Sequence, residues 1–322
     1  MVYDNNKMIN AIKYKLKKLK IKKYLLVKNE FEKENKSRLS KTEKIKKMLL
    51  NPKITLAYLT GKIFSVEYTE IVLTTTCTLN CKGCSALMNE YTKGYHTDLE
   101  QNIKSLERLL SAIDSLNLLR LLGGEPLCYP NLYEILAFTN QQEKIKNVGI
   151  VTNGTLLIKD ERILEILKNK KFYVYISNYG KNSRKRDELI EQLKQNNIAY
   201  ILGSEDYIWR DYGNLECRNR KENELRKQFL ECKILCKSIF EGKLHHCPRS
   251  SHGTKLGKIP LVKRDYVDLL DENTTQKELR KKLYKFYYGY VPYVEACNYC
   301  NNATKDLKEI HAGEQIKKGQ NV

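Results

Sequence analysis

The chain has 322 residues, 41% hydrophobic and 30% charged, a balance that permits a sizeable buried core and excludes a wholly disordered polymer. Its ten cysteines are too dilute for a small disulfide scaffold, no apolar leader-like stretch follows Met1, and no run approaches the roughly 18 apolar residues of a spanning helix, so a reducing, cytosolic compartment is expected. Of the net charge of +20, +11 lies in residues 1–50, where 16 Lys and Arg face 5 Asp and Glu, so the rest is only mildly basic and nucleic acid is disfavoured as a partner.

In that first segment Ile9, Ile12, Leu16 and Leu19 recur at helical spacing, with Lys13, Lys15, Lys17, Lys18, Lys20, Lys22 and Lys23 on the other faces. A basic amphipathic helix is expected within an extension covering residues 1–65. It suits peripheral association with the inner face of an anionic membrane or with an acidic partner, and a solvated helix is the alternative.

From residue 66 to 215 apolar, β-branched stretches alternate with helical ones, the pattern of βα units around a parallel sheet. Glu70 to Thr75 reads as the first strand and runs into a cysteine loop. Thr97 and Glu100 read as a capping box opening a helix to about Asp114. Leu118 to Leu122 is a strand ending at Gly123-Gly124, followed by a helix near Tyr133 to Thr139 and a strand Val148 to Thr152 ending at Asn153-Gly154. A helix Glu161 to Asn169, a strand Tyr173 to Ser177, a helix Arg186 to Gln195 and a strand Ala199 to Leu202 complete the series. Right-handed crossovers would curve these five strands into a partial barrel, with any ligand at their carboxyl ends.

Cys77, Cys81 and Cys84 follow the first strand, three thiolates within eight residues. Such a set suits a cubane iron–sulfur cluster with one iron left without a protein ligand, because a structural zinc site wants four closed ligands. The segment Leu73 to Met88, LTTTCTLNCKGCSALM, resembles the CxxxCxxC signature of the radical S-adenosylmethionine (SAM) superfamily. Gly123, Gly124, Glu125 and Pro126 resemble that family's GGEP segment, which holds the SAM amino group. Asn153, Ser177 and Asn178 lie where members contact the ribose and carboxylate. The resemblance implies a partial (β/α)6-type barrel, a SAM-binding 4Fe-4S cluster and a flavodoxin- or ferredoxin-type electron donor. One departure is Gly83, where the family often has an aromatic residue near the adenine.

Beyond the barrel, residues 216–310 hold Cys232, Cys236, Cys247, Cys297 and Cys300, with a β-hairpin expected over Ser238 to His246 around Gly242. This arrangement resembles the short, twitch form of the SPASM/twitch extension. The resemblance implies an auxiliary 4Fe-4S cluster held by Cys247, Cys297, Cys300 and one of Cys232 and Cys236; a zinc site of the same cysteines is the alternative. Cys128, Cys217 and the spare member of that pair are then free thiols able to return a hydrogen atom to a carbon radical. Arg249, His245, His246 and His252 are expected near the substrate or the second cluster, a surface position being the alternative for each histidine. Residues 311–322 read as a tail. The expected activity is oxidation or epimerisation of a sugar, aminocyclitol or glycoconjugate after reductive cleavage of SAM. A peptide maturase and a zinc-containing nucleic-acid-binding protein are the other readings.

Overall fold

Strand alternation explains the architecture. Ser65–Thr74 form β1, where Ile71 and Leu73 point to one face and Glu70 and Val72 to the other. The computed structural model describes residues 62–232, 234, 236–288, 291–301 and 308–316. The basic amphipathic segment therefore lies outside the described residues.

After β1 come α1 (Leu99–Ala112), β2 (Ser115–Gly123), α2 (Leu132–Gln141), β3 (Ile145–Thr152), α3 (Glu161–Leu167), β4 (Phe172–Ile176), α4 (Arg186–Gln195) and β5 (Tyr200–Leu202). These five strands are parallel, in the order β5-β4-β3-β2-β1. On the helix-covered face Ile71, Leu73, Leu119, Leu121, Val148, Ile150, Val174 and Ile176 are fully buried against Leu106, Leu109, Ile135 and Leu189. Each such side chain contributes about 1.5–3 kcal/mol over an exposed one, so this face anchors the sheet.

The expected elements are present, with shifted ends. Asp98, rather than Thr97, caps α1, its carboxylate accepting the Gln101 N–H at 2.8 Å. Thr97 is turned inward, its hydroxyl donating to the Leu73 carbonyl. The helix stops at Ala112 because Asp114 leaves it to accept the Phe64 N–H at 2.6 Å and to donate its own N–H to the Phe64 carbonyl, fixing the start of β1.

The second half departs further from expectation. β6 (Ile208–Arg210), α5 (Glu222–Glu231), β7 (Ser238–Phe240) and β8 (Lys243–His245) lead to α6 (Pro248–Lys255), β9 (Tyr266–Asp268), α7 (Gln276–Tyr288) and β10 (Glu309–His311). The hairpin at Gly242 forms as expected, but its first strand extends the main sheet, β7 running parallel to β1 with Glu70 beside Ser238. A separate small core gathers Leu225, Ile259, Val291, Val294 and Ala296 around Cys297. The presumed tail begins with ordered structure, since β10 pairs antiparallel with β6 and the chain continues to Ile316. Among the described residues no helix is long and apolar enough to cross a membrane.

Candidate active site

The carboxyl ends of β1 to β4 meet at the first cysteine loop. Close backbone approach is what the glycines there allow. A Cβ at Gly124 would lie 2.3 Å from the Thr76 carbonyl oxygen, and one at Gly123 would lie 2.2 Å from that of Thr74. Glu125 is fully buried, and its two oxygens accept the Leu127 N–H at 3.0 Å and the Asn153 N–H at 2.8 Å. Burial pushes its carboxyl up to about 7 despite these bonds. Glu125 thus braces the β2 loop to the β3 loop, and its carboxylate is engaged by backbone donors.

Asn153 donates to the Thr78 hydroxyl at 3.0 Å and lies 3.7 Å from Cys77 Sγ, tying the β3 loop to the cysteines. The carbonyl of Ser177 accepts from Ser183, whose hydroxyl also donates to the Asn153 carbonyl at 2.7 Å. Asn178 accepts from Arg186 Nη1 at 2.8 Å. Every residue of the expected SAM contact set is therefore brought to the cysteine loop or the strand ends beside it. A cavity of about 250 Å³ lined by Thr76, Cys77, Asn80, Met88 and Tyr91 opens on the same loop.

Cys77, Cys81 and Cys84 lie close enough to influence one another's ionisation, and burial pushes Cys77 up to about 11 and Cys81 up to about 12. Loading iron onto such thiols must release protons. Among the described residues no group of three or more His, Cys, Asp or Glu side chains converges on a single-ion position. A cubane asks for a wider spacing, because each thiolate binds its own iron. Three neighbouring thiols on one loop, beside a backbone cradle, fit that group.

In the second set, Cys232, Cys247, Cys297 and Cys300 are the mutual electrostatic neighbours. Burial raises Cys232 to about 11 and Cys247 to about 12, and raises Cys297 as well. Arg249 holds this region together. Its guanidinium donates to the carbonyls of Tyr299 at 2.6 Å, Gly213 at 2.5 Å and Asn214, joining the helix that opens at Cys247 to the Cys297–Cys300 turn. Arg220 donates to the Cys300 carbonyl at 2.6 Å, and Gln228 to that of Cys297 at 2.9 Å. Half-buried Lys237 lies near Cys247, Cys236 and Cys232, its ammonium lowered to about 8 by desolvation.

Cys236, though also near Lys237, turns its thiol toward the sheet. It is half-buried and hydrogen-bonded to Glu70 beside Tyr68, on the sheet face away from the helix-covered core. Glu70 also accepts from the Tyr68 hydroxyl and, at 3.1 Å, from Ser238. Arg120 sits level with Glu70 on β2, its guanidinium 5.4 Å from the ring centroids of both Tyr68 and Tyr175, and its buried Nε has no hydrogen-bond partner. Gly149 leaves room for the Tyr173 ring, since a Cβ there would lie 2.5 Å from it. None of the residues in this polar group except Cys236 was singled out in the sequence. The available signal was a glutamate and an arginine inside otherwise apolar strands, Tyr-Thr-Glu-Ile-Val and Leu-Leu-Arg-Leu-Leu.

The other expectations fare unevenly. Cys128 is half-buried and close to Glu125, whereas Cys217 is exposed, bonded to Asn219 and Asn298. Neither belongs to the concave polar group. The histidines are buried rather than superficial. His246 stacks on Phe286 at 3.8 Å, His245 meets Ser250 at 3.2 Å, and His252 meets the Tyr91 hydroxyl at 2.9 Å. Burial lowers His245 and His252 to about 3, so both are neutral packing groups.

Residues 71–178, which contain the cysteine loop, the GGEP turn and the ends of β3 and β4, match the model of the Radical SAM superfamily. Those residues form a radical SAM domain. GTP 3',8-cyclase of Clostridium acetobutylicum is 27% identical over 267 residues, 75% of this chain and 77% of that protein. Human molybdenum cofactor biosynthesis protein 1 is 31% identical over 98 residues, 29% of this chain and 15% of that one. Among solved structures, BtrN in complex with AdoMet and 2-DOIA superposes with a TM-score of 0.47 at 17% identity, over 78% of this chain and 97% of that chain.

Proposed function

We propose that this radical SAM enzyme oxidises or epimerises a carbon of a polyhydroxylated, carbohydrate-type substrate, such as a sugar, aminocyclitol or glycoconjugate, bound on the concave face of its sheet. The observation that carries this reading is the polar group of Glu70, Arg120, Tyr68, Tyr175, Ser238 and Cys236 on the face away from the core, with Glu70 and Ser238 buried and the others half-buried. Within this group the buried Nε of Arg120 is without a hydrogen-bond partner, a cost that a hydroxyl of the substrate would offset.

Cys77, Cys81 and Cys84 would hold a cubane that, with SAM bound, would supply hydrogen-atom abstraction, and Cys232, Cys247, Cys297 and Cys300 would hold a second that would serve as electron acceptor. The chain's own groups do the rest. Arg120 Nε orients a substrate oxygen. Glu70, its carboxyl raised by burial, takes a hydroxyl proton as the carbon becomes a carbonyl. In epimerisation the Cys236 thiol, rather than Cys128 or Cys217, is the donor of a hydrogen atom. A flavodoxin- or ferredoxin-type protein fits as electron donor.

A second reading is a purine nucleotide substrate, favoured by the similarity to GTP 3',8-cyclase along three quarters of the chain. Reduced, reconstituted enzyme incubated with SAM in deuterated water separates them. Formation of 5′-deoxyadenosine with a glycan, accompanied by a carbonyl product or by solvent deuterium at carbon, supports the first reading. Its formation with GTP alone supports the second, and its absence with both overturns the two together.

A further inference from the structure

The chain from Glu309 to Ile316 lies directly across the first cysteine loop. The Lys82 N–H donates to the Glu314 carbonyl at 2.8 Å, and the Ile316 N–H donates to the Asn80 carbonyl at 2.9 Å, so Cys81 and Gln315 face one another in a short antiparallel bridge. Ile310, buried, fills the space over Gly83, where a Cβ would come within 2.7 Å of its Cδ1 and the backbone has φ +65°. The room that an aromatic residue at position 83 would need is thus taken by a side chain from the other end of the chain. Tyr179 and Asn182, beyond β4, hold the same segment, Asn182 Nδ2 donating to the Gly313 carbonyl at 3.0 Å.

The Gln315 amide bridges the loop. Its Oε1 accepts the Asn80 N–H at 2.8 Å, and its Nε2 lies 3.1 Å from Cys81 Sγ. The orientation follows from chemistry, because a backbone N–H only donates and must face the amide oxygen, which leaves the NH2 group facing the sulfur. Nε2 also donates to the Gly313 carbonyl at 2.7 Å, so both its hydrogens are directed.

We propose that the segment Glu309–Ile316 is part of the first cluster's site and that Gln315 is a positioning residue that tunes this cluster through an N–H···S bond to Cys81. The proposal rests on the assignment of a cubane to Cys77, Cys81 and Cys84. An N–H donor to a cluster thiolate favours the more negative, reduced state, so Gln315 raises the potential at which the cluster accepts its electron.

The test uses full-length, anaerobically reconstituted enzyme and redox titration followed by electron paramagnetic resonance, monitoring the signal that SAM perturbs. In Gln315→Leu and Gln315→Glu the iron content stays at the wild-type level, and the midpoint potential moves to more negative values, further in Gln315→Glu because it adds charge. A midpoint equal to wild type in both variants overturns the proposal. If either variant loses its iron, Gln315→Asn, which keeps an N–H donor, is read instead: iron retained with a potential nearer wild type upholds it, and iron lost here too overturns it. If wild-type enzyme shows no SAM-sensitive signal, the cluster assignment itself falls.

Discussion

Glu125, at the end of β2, accepts the backbone N–H of Asn153, at the end of β3, across 2.8 Å, with its side chain wholly removed from solvent. The bond joins the two loops that flank the first cysteines, and its strength depends on pH. Burial raises the carboxyl from 4.5 to about 7 in the folded protein. Between these values the folded state holds a proton that the unfolded chain has released, so stability falls as pH rises through that window. The full effect is roughly 3 kcal/mol. In thermal melts of the apoprotein, Glu125→Gln is expected to show a smaller decline in Tm between pH 4.5 and 7 than wild type. An unchanged slope would show that other groups dominate.

The second cysteine set offers a count. Cys232→Ala, Cys247→Ala, Cys297→Ala and Cys300→Ala should each take the reconstituted protein from about eight irons per chain to about four, the content of one cubane. Cys236→Ala should leave iron unchanged, because that thiol is turned toward Glu70. Iron and sulfide analysis decides this, and loss of iron in Cys236→Ala would reverse the assignment between Cys232 and Cys236. Zinc in place of iron in all of them would favour the zinc-protein reading.

Glu70→Gln is expected to lower substrate turnover by about 10²- to 10⁴-fold, the range for loss of a positioned acid–base group. Substrate-independent cleavage of SAM, followed as 5′-deoxyadenosine, should remain near wild type, since Glu70 lies on the strand well before the cysteine loop. A parallel fall in both activities would place Glu70 in the fold rather than in the reaction.

Arg249 spans three backbone carbonyls with one planar group, which lysine cannot imitate. Arg249→Lys is therefore expected to destabilise the protein by roughly 1.5–3 kcal/mol, the range for losing hydrogen bonds from a charged donor, here to part-buried carbonyls. Denaturant unfolding measures this directly. The loss should be accompanied by lower iron retention at the second set and little change at the first.

The parallel βα series was visible in the sequence because apolar periodicity and strand-end Gly and Asn residues repeat at regular intervals. The first cysteine loop was legible for a related reason, as all its thiols come from eight consecutive residues. What escaped were features made by residues distant in sequence. Thr97 and Asp98 both look like caps, and only the inward bond of Thr97 to the Leu73 carbonyl decides between them. The choice between Cys232 and Cys236 depended on β7 pairing with β1, which sets Cys236 beside Tyr68 and Glu70. Gln315, in a stretch with no periodic pattern, gave no sign that it would meet Cys81, 234 positions earlier.

The pairing of β7 with β1 also bears on how the protein avoids aggregation. β1 has ten residues and includes the apolar stretch Ile71-Val72-Leu73, and in a chain ended after β5 it would be an unpaired edge with free backbone donors and acceptors. β7 occupies that edge at Glu70 and Ile71, and β8 and β9 continue outward as short antiparallel strands to a new border only three residues long. The second half of the chain thus serves as a shield for the first, and the isolated barrel portion would be prone to edge-to-edge self-association.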